Sequence, residues 1–235
     1  MRRFRFRRLE ALAPLAWCAE LRRGDPTVDV VHGRLVEVAP TAFFEGVWDG
    51  PFADLGFATS CITMGSGALI DGDHIRFIAP SHTYESLCMI DDGDRTWISN
   101  SIAFALATAG DGPDIQYPWY HRDLLALQRH GITGDHPFSM PTRRYRRFAL
   151  HAATDVAIDL DLATATWVRP QVPAPPDFAA YRALLADSVT ALANNATDRA
   201  RHHRFPLATT TSRGYDSTAT SVLAAAAGVR EAITF

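Results

Sequence analysis

The sequence has no lysine. All 23 of its basic residues are arginine, set against 26 Asp and Glu, which gives a formal net charge of -3 over 235 residues. That absence removes every reaction whose working group is a lysine amine of this chain: Schiff-base chemistry, anchoring of pyridoxal phosphate and the lysine of a Walker A loop. Cysteine is almost as sparse. Cys18, Cys61 and Cys88 are too few and too scattered for a disulfide framework or a zinc site of paired C-x-x-C units, and a reducing cytosol is the default compartment. No apolar run approaches the roughly 20 residues that cross a bilayer, so no membrane partner is expected. A chain of negative net charge likewise gives no footing for generic nucleic-acid binding.

What is present is 47% hydrophobic residues, enough to bury a sizeable core in one or two globular domains. Residues 1–25 read as an amino-terminal extension. The run MRRFRFRR followed by the apolar 9–19 imitates a secretory signal, but Glu10 interrupts it and Trp17 stands where cleavage needs a small residue. Phe4 and Phe6 alternating with Arg3, Arg5 and Arg7 also have the period of a half-buried strand. A solvated extension and a strand both fit.

From 26 to 169, short strand-like runs are broken by Gly, Asp and Pro clusters, the pattern of an α+β domain. The pairs 28–31 with 35–38, 68–70 with 75–78, and 86–90 with 95–98 are expected to form hairpins around tight polar turns. Helical periodicity spans 101–109, stopped by Gly110, and 119–130, stopped by Gly131; 156–160 and 166–168 make a last strand pair. The proline-rich 170–176 is the expected linker. Beyond it, Asp177 caps an amphipathic helix with Phe178, Tyr181, Leu184, Leu185, Val189 and Leu192 on one face. Residues 205–211 then read as a strand, 217–227 as an alanine-rich helix stopped by Gly228, and 229–235 as a second strand, which predicts a parallel sheet.

The chemistry sits at the junction inside that unit, Ser212-Arg213-Gly214-Tyr215-Asp216-Ser217. A short loop opening onto a helix amino terminus is an anion site: the first turn has unpaired amide N–H groups and a partial positive charge, and hydroxyls of Ser212, Ser217 and Thr218 add donors. Gly214 lets backbone approach a phosphate closely. Loops of this kind also occur merely to cap helices.

This loop resembles the S-G-G-x-D-S pyrophosphate loop of the ATP pyrophosphatases, in the form carried by the asparagine synthetase family with its relatives, the β-lactam synthetases and lasso-peptide cyclases. Five of its six positions agree. The hairpin leading into Ile98-Ser99-Asn100-Ser101-Ile102 and a helix, and the strands from Met140-Pro141 to Trp167, are similar to that family's amino-terminal domain. The resemblance implies a degenerate glutamine-amidotransferase-like domain over 26–169, an Ntn-hydrolase-like α/β/β/α sandwich, then the linker 170–176, and over 177–235 the beginning of an α/β parallel-sheet PP-loop domain. It also implies an activity. ATP is held with Mg²⁺ while a substrate carboxylate attacks the α-phosphorus, and an amine then displaces AMP to give an amide. Carried over, Ser212, Gly214, Ser217 and Thr218 cradle the pyrophosphate. Asp216 reaches phosphate only through Mg²⁺, since two anions repel, or else caps the helix. The partner is a small-molecule or peptide carboxylate, and a homo-oligomer is compatible with it.

The chain departs from the family in three ways. Arg213 stands where the family has Gly; if that position needs positive φ, Arg costs about 1 kcal/mol or more, and its guanidinium either faces the phosphates or marks a loop that no longer binds them. Residue 2 is Arg2 rather than the family's leading cysteine, so no glutaminase nucleophile is expected and the three cysteines read as small buried hydrophobes. The roughly sixty residues after the linker fall short of a usual domain of about 100–150, so an incomplete form, or a non-catalytic remnant, is the expectation. Lesser features get bland readings: 143–147, RRYRR, a strand edge; His202-His203, a solvated helix end; 71–73 and 91–94, hairpin turns.

Overall fold

The computed structural model describes residues 2–130, 138–144, 146–168 and 174–234, and they form two compact units, Met1–Gly46 with Met64–Arg169, and Val47–Thr63 with Pro170–Phe235. Among the described residues the fold is mixed α/β, with 15 strands in three sheets and four α-helices.

The first unit is built on two sheets. One runs in the order β1 (Arg3–Arg8), β3 (Thr27–His32), β2 (Trp17–Arg22), β9 (Arg95–Ser99), β8 (Leu87–Asp91), β11 (Arg147–His151), β10 (Phe138–Pro141). The other runs β13 (Thr164–Val168), β12 (Thr154–Ile158), β7 (His74–Ile78), β6 (Thr63–Asp71), β5 (Ala42–Trp48), β4 (Glu37–Ala39). Alternation along each strand gives each sheet an apolar face. Trp17, Leu21, Val28 and Val30 of the first sheet meet Phe43, Ile75, Phe77, Val156 and Ile158 of the second in one buried cluster. Full burial of such aliphatic and aromatic side chains contributes about 1.5–3 kcal/mol each. Helices α1 (Ile102–Thr108) and α2 (Tyr120–His130) cover the other face of the first sheet, where Ala105, Leu106 and Leu127 pack on Cys88, Ile90, Phe148 and Leu150. Ser101 starts α1 by accepting the Phe104 amide at 3.3 Å, an N-cap bond.

Three expectations are corrected. Residues 1–25 are not an extension: β1 pairs in parallel with β3 from Arg3 opposite Thr27 to Arg8 opposite His32, and β2 lies antiparallel between β3 and β9. Phe4 and Phe6 pack on the core, Phe4 with its ring 5.4 Å from that of Phe43, while the arginines face outward. The hairpin expected over 28–38 does not form, because β1 and β2 occupy both edges of β3 and β4 joins the other sheet. Residues 47–63 belong with the second unit. The hairpins β6–β7 and β8–β9 and the pair β12–β13 form as expected. Gly131, Tyr145 and residues 170–173 of the linker lie outside the described residues.

In the second unit, α3 (Phe178–Ala196) is capped by the Asp177 carboxylate, which accepts the Ala180 amide at 2.8 Å. None of its expected apolar face is buried: Phe178 and Tyr181 are exposed, Leu184, Leu185, Val189 and Leu192 are half-buried, and the buried residues are instead Ala193, Asn195 and Ala196 at the carboxy-terminal end. There the Asn195 side-chain amide donates to the Gly50 carbonyl at 2.6 Å and the Arg201 guanidinium donates to the Asn195 carbonyl at 2.6 Å. Arg201 itself lies 4.4 Å from the ring centre of Phe52 and 5.2 Å from that of Phe205, an aromatic enclosure that holds 47–63 to the end of α3. Strand β14 (Ala208–Thr211), helix α4 (Tyr215–Ala226) and strand β15 (Glu231–Thr234) follow, with β14 and β15 parallel. No helix among the described residues is long and apolar enough to cross a membrane.

One glycine is fixed by the way β5 and β6 approach each other. Gly65 has φ 135°, and a Cβ there would lie 2.0 Å from the Glu45 carbonyl oxygen. Gly65→Ala is expected to lower stability by more than about 4 kcal/mol or to prevent folding. Gly24→Ala, at φ 73° in open space, should cost only about 1 kcal/mol, a contrast that thermal melts followed by circular dichroism will read.

Candidate functional site

The loop between β14 and α4 sits at the exposed end of a strand–helix–strand unit. The strand alternates: Thr209 and Thr211 turn toward α4, where the Ser221 hydroxyl lies 3.4 and 3.0 Å from theirs, so a polar seam fixes the helix on the strand. That seam aims the amino terminus of α4 at the loop. The amides of Tyr215, Asp216 and Ser217 open the helix, where α-helical geometry gives them no intrahelical acceptor.

The structure brings Ser212, Gly214, Ser217 and Thr218 together, but with their hydroxyls turned inward. The Ser212 hydroxyl accepts the Gly214 amide at 3.2 Å and lies 2.9 Å from the Ser217 hydroxyl. The Ser217 and Thr218 hydroxyls each donate to the Gly214 carbonyl at 3.1 Å. Ser and Thr hydroxyls in a first helical turn bond carbonyls three or four residues back when nothing polar stands before them. The lock on the loop is therefore the Ser212–Ser217 pair, and the Asp216 carboxylate, exposed in the first turn, makes no hydrogen bond among the described residues. It does not cap the helix.

Arg213 is exposed and is not among the described residues with positive φ. The strain expected for an arginine in place of glycine is absent. Gly214, at φ -79° and ψ 151°, is ordinary extended backbone, and a Cβ there would meet only the Ser212 hydroxyl at 3.4 Å. Neither conformation nor crowding within the chain requires glycine at 214. Its missing side chain leaves the front of the helix terminus uncovered. Among the described residues no group of three or more His, Cys, Asp or Glu is arranged to hold a metal ion by protein ligands alone.

The cysteines divide. Cys18 and Cys88 are buried and burial pushes their thiols up, Cys18 to about 12, so both behave as core hydrophobes. Cys61 is half-buried rather than in the core.

A second polar constellation carried no sequence motif. Glu45 is 5% exposed, and one carboxyl oxygen accepts the Ser66 amide at 2.9 Å, the Ser66 hydroxyl at 2.8 Å and the Asn100 side-chain amide at 3.3 Å. The Trp17 indole N–H donates to the same Ser66 hydroxyl at 3.0 Å. Burial pushes the Glu45 carboxyl up to about 8, reinforced by the charge of Glu85 and opposed by the hydrogen bonds from Ser66 and Asn100. One signal was available: a lone Glu in the apolar strand AFFEGVW.

That shift makes stability depend on pH. Because the folded-state value lies above the ordinary 4.5, the folded protein holds the Glu45 proton more tightly than the unfolded chain, and the stability it confers is lost as pH rises from 4.5 toward 8. His151 works oppositely, burial lowering it from 6.5 to about 4, so its contribution is lost as pH falls through that window. The two oppose each other below 6.5, and from 6.5 to 8 Glu45 acts alone. Urea unfolding should show stability falling there by about 1.4 kcal/mol per pH unit, and Glu45→Gln should flatten that fall; an unchanged slope in the variant would exclude Glu45 as its source.

The sequence matches no model of a known protein family, and no curated protein matches it.

Proposed function

We propose that the chain is an ATP-dependent carbon–nitrogen ligase of the asparagine synthetase type, in which a small-molecule or peptide carboxylate is activated by adenylation and joined to an amine, with AMP and pyrophosphate released. The observation that carries this reading is the uncovered amino terminus of α4, following a parallel strand and preceded by a loop whose glycine the chain's own fold does not require. Anions are favoured at such a terminus by open amides and the helix dipole together.

The residues present suit a nucleoside triphosphate. Amides of Tyr215, Asp216 and Ser217, with the hydroxyls of Ser212, Ser217 and Thr218 rotated outward, would hold the β- and γ-phosphates. Mg²⁺ is ordinarily bound by one or two carboxylates plus substrate phosphates, which the single exposed Asp216 suits. Arg213, unstrained and exposed, would add a guanidinium to the phosphates. The nucleotide supplies the phosphoanhydride whose α-phosphorus accepts the carboxylate.

For the first unit, the finer reading is an Ntn-hydrolase-like amidotransferase domain without its nucleophile. Two face-to-face sheets with helices outside one of them support it. The amine would then come from ammonia or the substrate itself. The cytosol supplies ATP and keeps the three free cysteines reduced. One observation favours a second reading, a remnant that binds no nucleotide: the loop hydroxyls already satisfy one another.

Calorimetric titration of ATP with Mg²⁺ separates the two. A ligase loop gives a saturable isotherm with a dissociation constant at or below about 1 mM; Ser217→Ala weakens it about tenfold, Asp216→Asn removes its Mg²⁺ dependence, and Thr220→Ala, one turn along α4, leaves it unchanged. Absence of heat, or equal binding by Ser217→Ala and the parent, overturns the nucleotide reading.

A further inference from the structure

We propose a second binding site, on the helix-facing side of the first sheet, for a small carboxylate carrying a short apolar body, with Arg7 as the residue that receives the charge. The proposal does not rest on the nucleotide reading. An open pocket of about 510 Å³ lies over β1, β3 and β2 beside the end of α1, within the ordinary size range of small-molecule sites.

Strand register divides its floor into two rows. In one, Arg5 stands opposite Asp29, and Asp29 opposite Glu20. Every charge there is compensated: Arg5 donates to the Asp29 carboxylate from two nitrogens, one at 2.6 Å, and Glu20 is met by Arg22 at 2.9 Å and Arg95 at 3.5 Å. In the next row, two residues along each strand, Arg7 stands opposite Val31 and Val31 opposite Cys18. That row holds no acid, and among the described residues Arg7 has no ion-pair or hydrogen-bond partner.

A guanidinium beside an apolar floor sets the ligand's chemistry. Arg7 presents a planar fork that suits a carboxylate bidentately, while the half-buried Val31 offers hydrocarbon surface to whatever carries it. Thr108, at the end of α1, also lines the pocket. At the end of α1 the Leu106 and Ala107 carbonyls are taken by the amides of Asp111 at 2.8 Å and Gly110 at 3.2 Å. The two acids of the neighbouring row set the orientation: the carboxylate lies toward Arg7 and away from Glu20.

The test uses the 235-residue chain and three probes, hexanoate, acetate and inorganic phosphate, followed by NMR shifts of the Val31, Cys18 and Thr108 amides and of the Arg7 side chain. The expected result is saturable binding of hexanoate, about tenfold tighter than acetate and tighter than phosphate. Arg7→Gln should weaken it at least tenfold, and Arg8→Gln, whose parent residue pairs with Glu10 at 2.7 Å, should leave it unchanged. Linear, non-saturating shifts, equal binding by Arg7→Gln, or phosphate binding as tightly as hexanoate overturns the assignment.

Discussion

In the first unit the indole N–H of Trp17 is buried and has an acceptor, which avoids the cost of an unpaired buried donor. Its ring is fully buried between the sheets, 4.9 Å from the Phe43 ring and 6.1 Å from that of Phe77. The acceptor is Ser66 of the opposite sheet, and Ser66 in turn needs one of its own, which is Glu45. To bring the Ser66 amide and hydroxyl onto one carboxyl oxygen, β6 must approach β5 closely, and only glycines on either side allow it: Gly65 against the Glu45 carbonyl, Gly67 against that of Phe43. The same tryptophan's backbone amide donates to Asn100 at 3.0 Å, and Asn100 donates to the Leu15 carbonyl at 3.0 Å, so the segment leading into α1 is tied to the chain just before β2. Trp17 thereby links the two sheets through its indole and the segment leading into α1 through its main-chain amide, at the expense of a carboxyl kept largely protonated at neutral pH.

Local structure was legible because local rules set it. The polar turns of β6–β7 and β8–β9, the Asp177 cap and the alternation of Phe4 and Phe6 are each decided within a few residues. Sheet membership was not, since it depends on which edges are still free. Residues 28–31 and 35–38 form a plausible hairpin in isolation; in the protein β3 is flanked on both sides by strands from the first 25 residues, and β4 must go elsewhere. The placement of 47–63 with the second unit was equally hidden, because it depends on Arg201, about 150 residues distant in sequence, finding Trp48 and Phe52.

For the loop at 212–217, the motif was legible and its hydroxyl orientation was not. Each inward bond from Ser217 or Thr218 to the Gly214 carbonyl is a neutral one, contributing about 0.5–1.5 kcal/mol, whereas a hydrogen bond to a charged group contributes about 1.5–3 kcal/mol. A phosphate arriving at the open amides would therefore favour outward rotation of the same hydroxyls. On the proposed reading, the self-satisfied arrangement and a nucleotide-holding one would be two states of the same loop, separated by the presence of an anion.

The arginine-only composition follows a related logic inside the fold. Arg2 is 3% exposed, donating to the Asp73 and Ile158 carbonyls, and burial lowers its pKa against the pull of Asp159, Asp73 and Asp25. Arg201 is 6% exposed among aromatic rings. A lysine desolvated to that degree loses charge readily, because its ordinary value starts near 10.4, and a single ammonium cannot also stack flat on Phe52. The guanidinium starts about two units or more higher and spreads its charge over a plane. At these two positions the absence of lysine is thus matched by a physical demand: the cation has to be buried, remain charged and use several donors in fixed directions at once.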